Sequence, residues 1–160
     1  MIKITNISSI ATWDTKTNEL SFLNNKNIYI DNKIIWKITD KDYPFTQLID
    51  AENSIITPGF IDCHTHPIFS DNRSKEFMQR TNGKTYHEIT KSGGGINSSV
   101  NSLREKKEDD LYWECFNRID QFLFNGTTTL EAKSGYGLTL KDEIKSLNVI
   151  KRINDNHILD

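Results

Sequence analysis

The stretch Thr57-Pro-Gly-Phe-Ile-Asp-Cys-His-Thr-His66 constrains this chain more than any other. Two histidines, two residues apart, follow an apolar run from Ser54 to Cys63. Side chains on a strand repeat their direction every two residues, so His64 and His66 share a face, about 6.6 Å apart along the strand. That spacing lets two imidazoles converge on one metal ion. Asp62 has the same parity. Cys63 and Thr65 have the other, which directs Cys63 into the layer between sheet and helices. A bare H-x-H pair is short, and by itself fits two satisfied histidines at a strand end equally well. Its placement shifts the balance. Pro58-Gly59 punctuates the chain, Phe60-Ile61 resumes as strand, and the histidines come where that strand ends. In parallel α/β barrels the chemistry sits at the C-terminal ends of strands.

The residues before this strand read as short strands. Asn27–Ile30 and Lys33–Ile38 flank Asp31-Asn32, a pair suited to a two-residue hairpin turn. Met1–Ile10 and Glu19–Leu23 are further strand candidates, and Asp50–Asn53 reads as a polar turn. After His66 the pattern becomes helical. Thr85–Lys91 fits a short helix, and Ser92-Gly-Gly-Gly95 fits a mobile loop or a close backbone approach. Leu111, Cys115, Ile119 and Phe122 or Leu123 recur at helical spacing from Asp109 to Phe124, and Asn125-Gly126 stops that helix. Thr127–Ala132 has the β-branched character of a strand, and Ser134–Gly137 is a loop. Thr139 is placed to cap a last helix, whose Ile144, Leu147, Ile150 and Ile153 form an apolar stripe.

This order predicts an α/β fold: a β-rich subdomain over residues 1–56, then the first β/α units of a parallel barrel over 57–160. A complete (β/α)8 barrel takes about 250 residues, so the 160 residues here read as the front part of a larger enzyme. A net charge of −2 with no basic stripe argues against nucleic acid, and no apolar run reaches membrane-spanning length. The N-terminus lacks a signal-peptide core, which points to the cytoplasm. Two cysteines, Cys63 and Cys115, are too few for a disulfide framework and are expected reduced and buried.

Four stretches together resemble the imidazolonepropionases of the amidohydrolase superfamily. They are Pro58–His66, Arg73 with Glu76-Phe77, Gly83–Ile89 leading to Gly93-Gly-Gly-Ile96, and Gly126-Thr-Thr-Thr-Leu-Glu-Ala-Lys-Ser-Gly-Tyr-Gly-Leu138. The resemblance runs from Pro58 to about Ile153, and the N-terminal strands fit the small β-sandwich that flanks the barrel in such enzymes. It implies the N-terminal part of a TIM-type barrel and hydrolysis of the cyclic amide of 4-imidazolone-5-propanoate to N-formimidoyl-L-glutamate. It implies one Zn or Fe ion per subunit, with His64 and His66 among the ligands. Arg73 and Tyr136 match substrate-binding positions, and Tyr86 lies in a motif close to the pocket. The chemistry of these residue types agrees. Neutral imidazoles ligate Zn and Fe, a bound ion lowers the pKa of its water toward about 7, and a guanidinium pairs with a carboxylate in a planar, bidentate way.

The further metal ligands and the general base of that family belong to later strands, beyond Asp160, and His157 matches none of them. The chain alone is therefore expected to be inactive and weakly metal-binding. The rival readings are another cyclic amidohydrolase or deaminase of the superfamily, or a truncated, non-catalytic product. The expected partner is a small molecule with a carboxylate, and a homodimer is left open. Lys133 shares strand parity with Glu131 and invites comparison with a carbamylated metal bridge, but a structural, hydrogen-bonding role is preferred. His87 reads as exposed. The glycine run lacks P-loop spacing and is a weak phosphate signal.

Overall fold

β-Branched and aromatic residues near the N-terminus pair as β1 (Ile2–Asp14), β2 (Glu19–Leu23), β3 (Asn27–Asp31), β4 (Ile34–Thr39) and β5 (Gln47–Ile56). The long β1 takes β3 antiparallel along its first residues and β2 antiparallel along its last, while β5 runs parallel on its other edge. β4 closes a hairpin with β3. The hairpin turns on Asn32-Lys33, one residue later than the sequence reading placed it. Both residues have positive φ, 49° and 65°, the geometry whose twist matches the flanking strands. Tyr29 is fully buried and packs edge-on against Tyr43 and Trp36.

Residues 50–53 are not a turn between elements. They lie within β5, where the register against β1 slips between Thr5 and Ile7. Glu52 and Asn53 adopt positive φ there, and Asp50 accepts hydrogen bonds from the Asn6 side chain and the Glu52 amide. A bulge of this kind uses the same polar residues as a turn.

The computed structural model describes residues 1–159. Clustering of contacts divides the chain into Met1–Pro58 and Gly59–Asp160. The second unit contains β6 (Phe60–Thr65), α1 (Ser74–Thr81), α2 (Tyr86–Lys91), α3 (Ile96–Glu105), α4 (Glu108–Phe124), β7 (Thr127–Ala132) and α5 (Leu140–Asn154). β6 and β7 are parallel neighbours, joined by the helical crossover that parallel pairing requires. Gly59 lets them approach, since a Cβ there would lie 2.0 Å from Thr128 Oγ1.

α4 buries Leu111, Tyr112, Cys115 and Ile119 against Ile68, Leu103, Val149 and Ile153, as its spacing predicts. α5 begins at Thr139, whose hydroxyl accepts the Asp142 amide. Its buried face, however, is Asp142, Ser146, Val149 and Ile153, while Ile144 and Leu147 are 46% and 50% exposed. Charge decides this face. Asp142 meets Arg104 and Lys145, and Lys145 Nζ donates to the carbonyls of Leu103, Arg104 and Lys106 at the end of α3. The helices α1 and α3 lie outside the elements expected from the sequence, although α3 buries Ser99, Val100 and Leu103 on one face. α2 is expected, and Thr85 with Glu88 closes a capping box at its start. The glycine run proves to be a close approach, because a Cβ on Gly94 would meet Ile89 Cγ2 at 2.7 Å. Among the described residues no helix is long and apolar enough to cross a membrane.

Candidate active site

His64 and His66 stand at the C-terminal end of β6 with ring centroids 5.3 Å apart. The pairing with β7 slips here: Asp62 to Thr65 spans the same stretch as Leu130 to Ala132. One extra residue on β6 makes a bulge, a device that re-aims side chains at strand ends. Cys63, which parity assigned to the interior, is exposed, as is Ile61 on the same strand, because burial there depends on what packs over the strand. Thr65 is buried and donates its hydroxyl to the Glu131 carbonyl at 2.8 Å. Cys115, by contrast, is buried, and burial pushes its thiol up to about 12.

His66 Nδ1 lies 3.0 Å from the Ser134 carbonyl oxygen. A carbonyl only accepts, so Nδ1 carries the proton and Nε2 keeps its lone pair. This is how a metal-ligating histidine is commonly held. His64 Nδ1 is 3.9 Å from Glu131 Oε2, and the same oxygen lies 3.5 Å from Lys133 Nζ. The Lys133 side chain thus ends on a carboxylate, and its amide donates to Thr65 O at 2.9 Å. Two imidazoles, one with its tautomer set, fit a Zn or Fe ion as partial ligands. Among the described residues no three His, Cys, Asp or Glu side chains are grouped around one such point. His87 is exposed. His157 lies elsewhere, bonded to Asp120 and to the Leu159 amide.

Tyr136 packs edge-on near both His66 and Phe69, at 6.1 Å and 6.3 Å between ring centroids. Its loop is pinned by residues that the sequence reading did not single out. Arg104 Nε donates to Gly137 O, and the Leu138 amide donates to Glu143 Oε1 at 2.7 Å. Burial pushes the Glu143 carboxyl up, but the Ser134 hydroxyl and the amides of Leu138, Gly137 and Gly135 together hold it below its ordinary value. Arg118 of α4 clamps the segment after His66. Its guanidinium donates to the carbonyls of Pro67 and Phe69 and stacks 3.5 Å from the Phe69 ring centroid.

Arg73 lines a cavity of about 240 Å³ together with Tyr136, Phe69, Asp71, Asn72 and Ser99. Glu76 orients it, accepting from Arg73 Nε at 2.8 Å and lying 2.6 Å from Nη2. The other oxygen of Glu76 accepts the Gly95 amide at 2.8 Å. The Arg73 guanidinium holds the Glu76 carboxyl below its ordinary value, against the opposing effect of burial. The remaining N–H donors of Arg73 are available to a second carboxylate. Tyr86 is exposed on α2, and its hydroxyl approaches Gly95 rather than the cavity wall. His66 thus neighbours both His64 and Tyr136, and Tyr136 shares with Arg73 a cavity that neither histidine lines, with Tyr86 outside it. Glu143 and Arg118 act on this group through backbone atoms, so no spacing in the sequence announces them, whereas Glu76 holds the Arg73 guanidinium itself from three residues along the chain.

No family model matches the chain. It is 42% identical over 162 residues to the imidazolonepropionase of Brevibacillus brevis, covering 96% of this chain and 38% of that protein. It is 42% identical over 165 residues to that of Thermoplasma volcanium, covering 99% and 41%. The chain therefore spans about two fifths of the length of these relatives. Among solved structures, a triazine hydrolase variant superposes with a TM-score of 0.66 at 17% identity, over 96% of this chain and 33% of the other. An atrazine chlorohydrolase from Arthrobacter aurescens TC1, complexed with zinc, gives 0.57 at 16%, over 92% and 33%. These likenesses show the fold alone, over the third of each structure that the chain covers. Over nearly its whole length, the chain is homologous to the imidazolonepropionases.

Proposed function

We propose that this chain supplies part of the active site of an imidazolonepropionase: two metal ligands and the recognition of the substrate carboxylate. The whole protein would hydrolyse the cyclic amide of 4-imidazolone-5-propanoate to N-formimidoyl-L-glutamate on a (β/α)8 barrel, with one Zn or Fe ion per subunit. The observation that carries this reading is the convergence of His64 and His66 with Tyr136, and of Tyr136 with Arg73 on one cavity.

His64 and His66 would hold the ion through ring nitrogens. A bound ion supplies a water deprotonated near neutral pH and polarises a carbonyl. The chain's own residues do the rest. The Ser134 carbonyl keeps the proton of His66 on Nδ1, and Arg118 fixes the backbone that follows. Arg73, oriented by Glu76, presents its outer N–H groups to the propionate. A carboxylate pairs best with that planar fork. Tyr136, beside His66, can donate its hydroxyl to the ring or to the same carboxylate.

The test uses the complete polypeptide to which this chain belongs. Loaded with Zn²⁺ or Fe²⁺ and mixed with the imidazolone, it should bleach the ring absorbance and yield N-formimidoyl-L-glutamate by mass spectrometry. Metal-loaded, folded protein that leaves the imidazolone intact sinks the assignment.

A further inference from the structure

The loop Ser134–Leu138 touches the candidate site at one end and α5 at the other. At the site end, the Ser134 carbonyl meets His66 Nδ1 at 3.0 Å. Gly135 packs so closely that a Cβ there would lie 3.1 Å from the same nitrogen. At the helix end, the Leu138 amide donates to Glu143 Oε1 at 2.7 Å. A Cβ on Gly137 would lie 2.6 Å from the Glu143 amide nitrogen. The loop is therefore seated on the first turn of α5 and leans on the imidazole.

Glu143 is not needed to start that helix. Thr139 already caps it, accepting the Asp142 amide. An acidic side chain in a first turn gains a little from the helix dipole, but an exposed one would gain the same without desolvation. Glu143 instead turns inward. Its carboxyl is buried against the loop: Oε1 accepts the Leu138 amide, and the Ser134 hydroxyl and the Gly135 and Gly137 amides lie close enough to hold it below its ordinary value, although Oε2 meets none of them at normal hydrogen-bond distance. A buried carboxylate is costly, and these loop donors are what offset it.

We propose that Glu143 is a positioning residue: by anchoring Leu138 it holds the Ser134–Leu138 loop where the Ser134 carbonyl fixes the tautomer of His66 and Tyr136 stays beside that ring. This rests on the reading of His66 as a metal ligand and adds the residue that makes its ligating nitrogen available. Glu143 touches neither ion nor substrate. It acts through the loop donors it faces, from Ser134 to Leu138.

The experiment follows the imidazoles of the complete polypeptide to which this chain belongs by long-range ¹H–¹⁵N correlation, without metal, at a pH where they are neutral. His66 is assigned by its loss in His66→Ala. Unmodified chain should show His66 protonated on Nδ1. Glu143→Ala should give a mixture of tautomers. Glu143→Gln, which preserves volume, should give a smaller shift in the same direction. It decides the matter if the alanine variant does not fold. Lys145→Met is the control. It removes three hydrogen bonds to the end of α3, and so loosens the helix packing without touching the loop. It should leave the tautomer unchanged. An unchanged His66 tautomer in the Glu143 variants, or an equal change in Lys145→Met, overturns the proposal.

Zn²⁺ titration by calorimetry gives the second reading, with Glu143→Ala expected to bind about tenfold more weakly, as for other outer partners of metal ligands. If the complete, folded protein binds no Zn²⁺ although its His66 tautomer is fixed, the ligand assignment fails while the anchoring by Glu143 stands.

Discussion

Gly137→Ala tests the seating of the loop on α5 with the smallest possible perturbation. A Cβ at this position would lie 2.6 Å from the backbone carbon of Asp142 and from the Glu143 nitrogen, and 2.9 Å from Asp142 Cβ. Ordinary contact begins near 3.4 Å, so loop and helix must separate by 0.8 Å. The obstacles are mostly backbone at a capped helix start, and they do not rotate away. Gly137 is not in the left-handed region, so its conformation alone would tolerate alanine. In open space such a change stabilises by about 0.4–1 kcal/mol, through the unfolded chain. Overpacking costs about 1–3 kcal/mol. The net effect is a loss of about 1–2 kcal/mol. For a unit of this size that lowers Tm by roughly 4–8 °C per kcal/mol. Urea unfolding with a fixed m-value gives the free energy, and the His66 tautomer reports whether the loop has moved. Gly83→Ala provides the contrast. No atom lies within 4 Å of its Cβ, but φ is 88°, so its cost of about 1 kcal/mol is conformational and should spare the site. A neutral or stabilising Gly137→Ala would show that the close approach is not there.

The other expectations are direct. His64→Ala and His66→Ala should each remove most of the metal bound by the complete protein, measured by elemental analysis after gel filtration; full stoichiometry in the double variant would refute the ligand pair. Arg73→Lys keeps the charge but loses the fork, so KM for the imidazolone should rise roughly tenfold, while an uncharged analogue of the substrate should show no change. Glu76 has its carboxyl held down by Arg73, so its stabilising contribution is complete above the unfolded value of about 4.3 and disappears as pH falls through the lower, folded value. For this partly exposed pair it should stay under about 1 kcal/mol, and Glu76→Gln should flatten that part of the urea-midpoint profile between pH 7 and 3. Iodoacetamide at neutral pH should label exposed Cys63 and spare Cys115, whose thiol is buried and raised to about 12. Labelling of both in the folded chain, seen by mass spectrometry, would contradict the core assignment.

Local signals in the sequence carried far where one element decides the outcome. α4 follows from Leu111, Cys115 and Ile119, and α5 starts where Thr139 says it should. The histidine pair stands out because its spacing needs only its own residues, and its two rings lie 5.3 Å apart although a bulge interrupts the strand between Asp62 and Thr65. Other features depend on distant partners. Of the expected stripe of α5, Ile153 is buried and Ile150 packs on the core, but Ile144 and Leu147 are exposed and the buried face carries Asp142 and Ser146 instead, because Arg104 and Lys145 pair there. Cys63 is exposed where parity alone would cover it, as is Ile61 two residues earlier on the same strand, because burial there depends on what packs over the strand. Asp50–Asn53 has the composition of a turn and the geometry of a bulge. Glu143 and Arg118 were invisible for another reason: their acceptors and donors are main-chain atoms, which every residue has.

The clamp by Arg118 has a consequence for the order in which this region is built. It joins α4 to carbonyls 49 and 51 residues earlier in the chain. Closing a flexible loop of that length costs about 3.5 kcal/mol by the (3/2)RT ln n estimate, so the contact forms only once the apolar face of α4 has docked. On the ribosome, at about 5–20 residues per second, Arg118 follows His66 by roughly 3–10 s. For that interval the two histidines are already present on a strand end that nothing yet holds. The backbone that follows the two histidines is therefore set by helix docking and not by the strand that bears them.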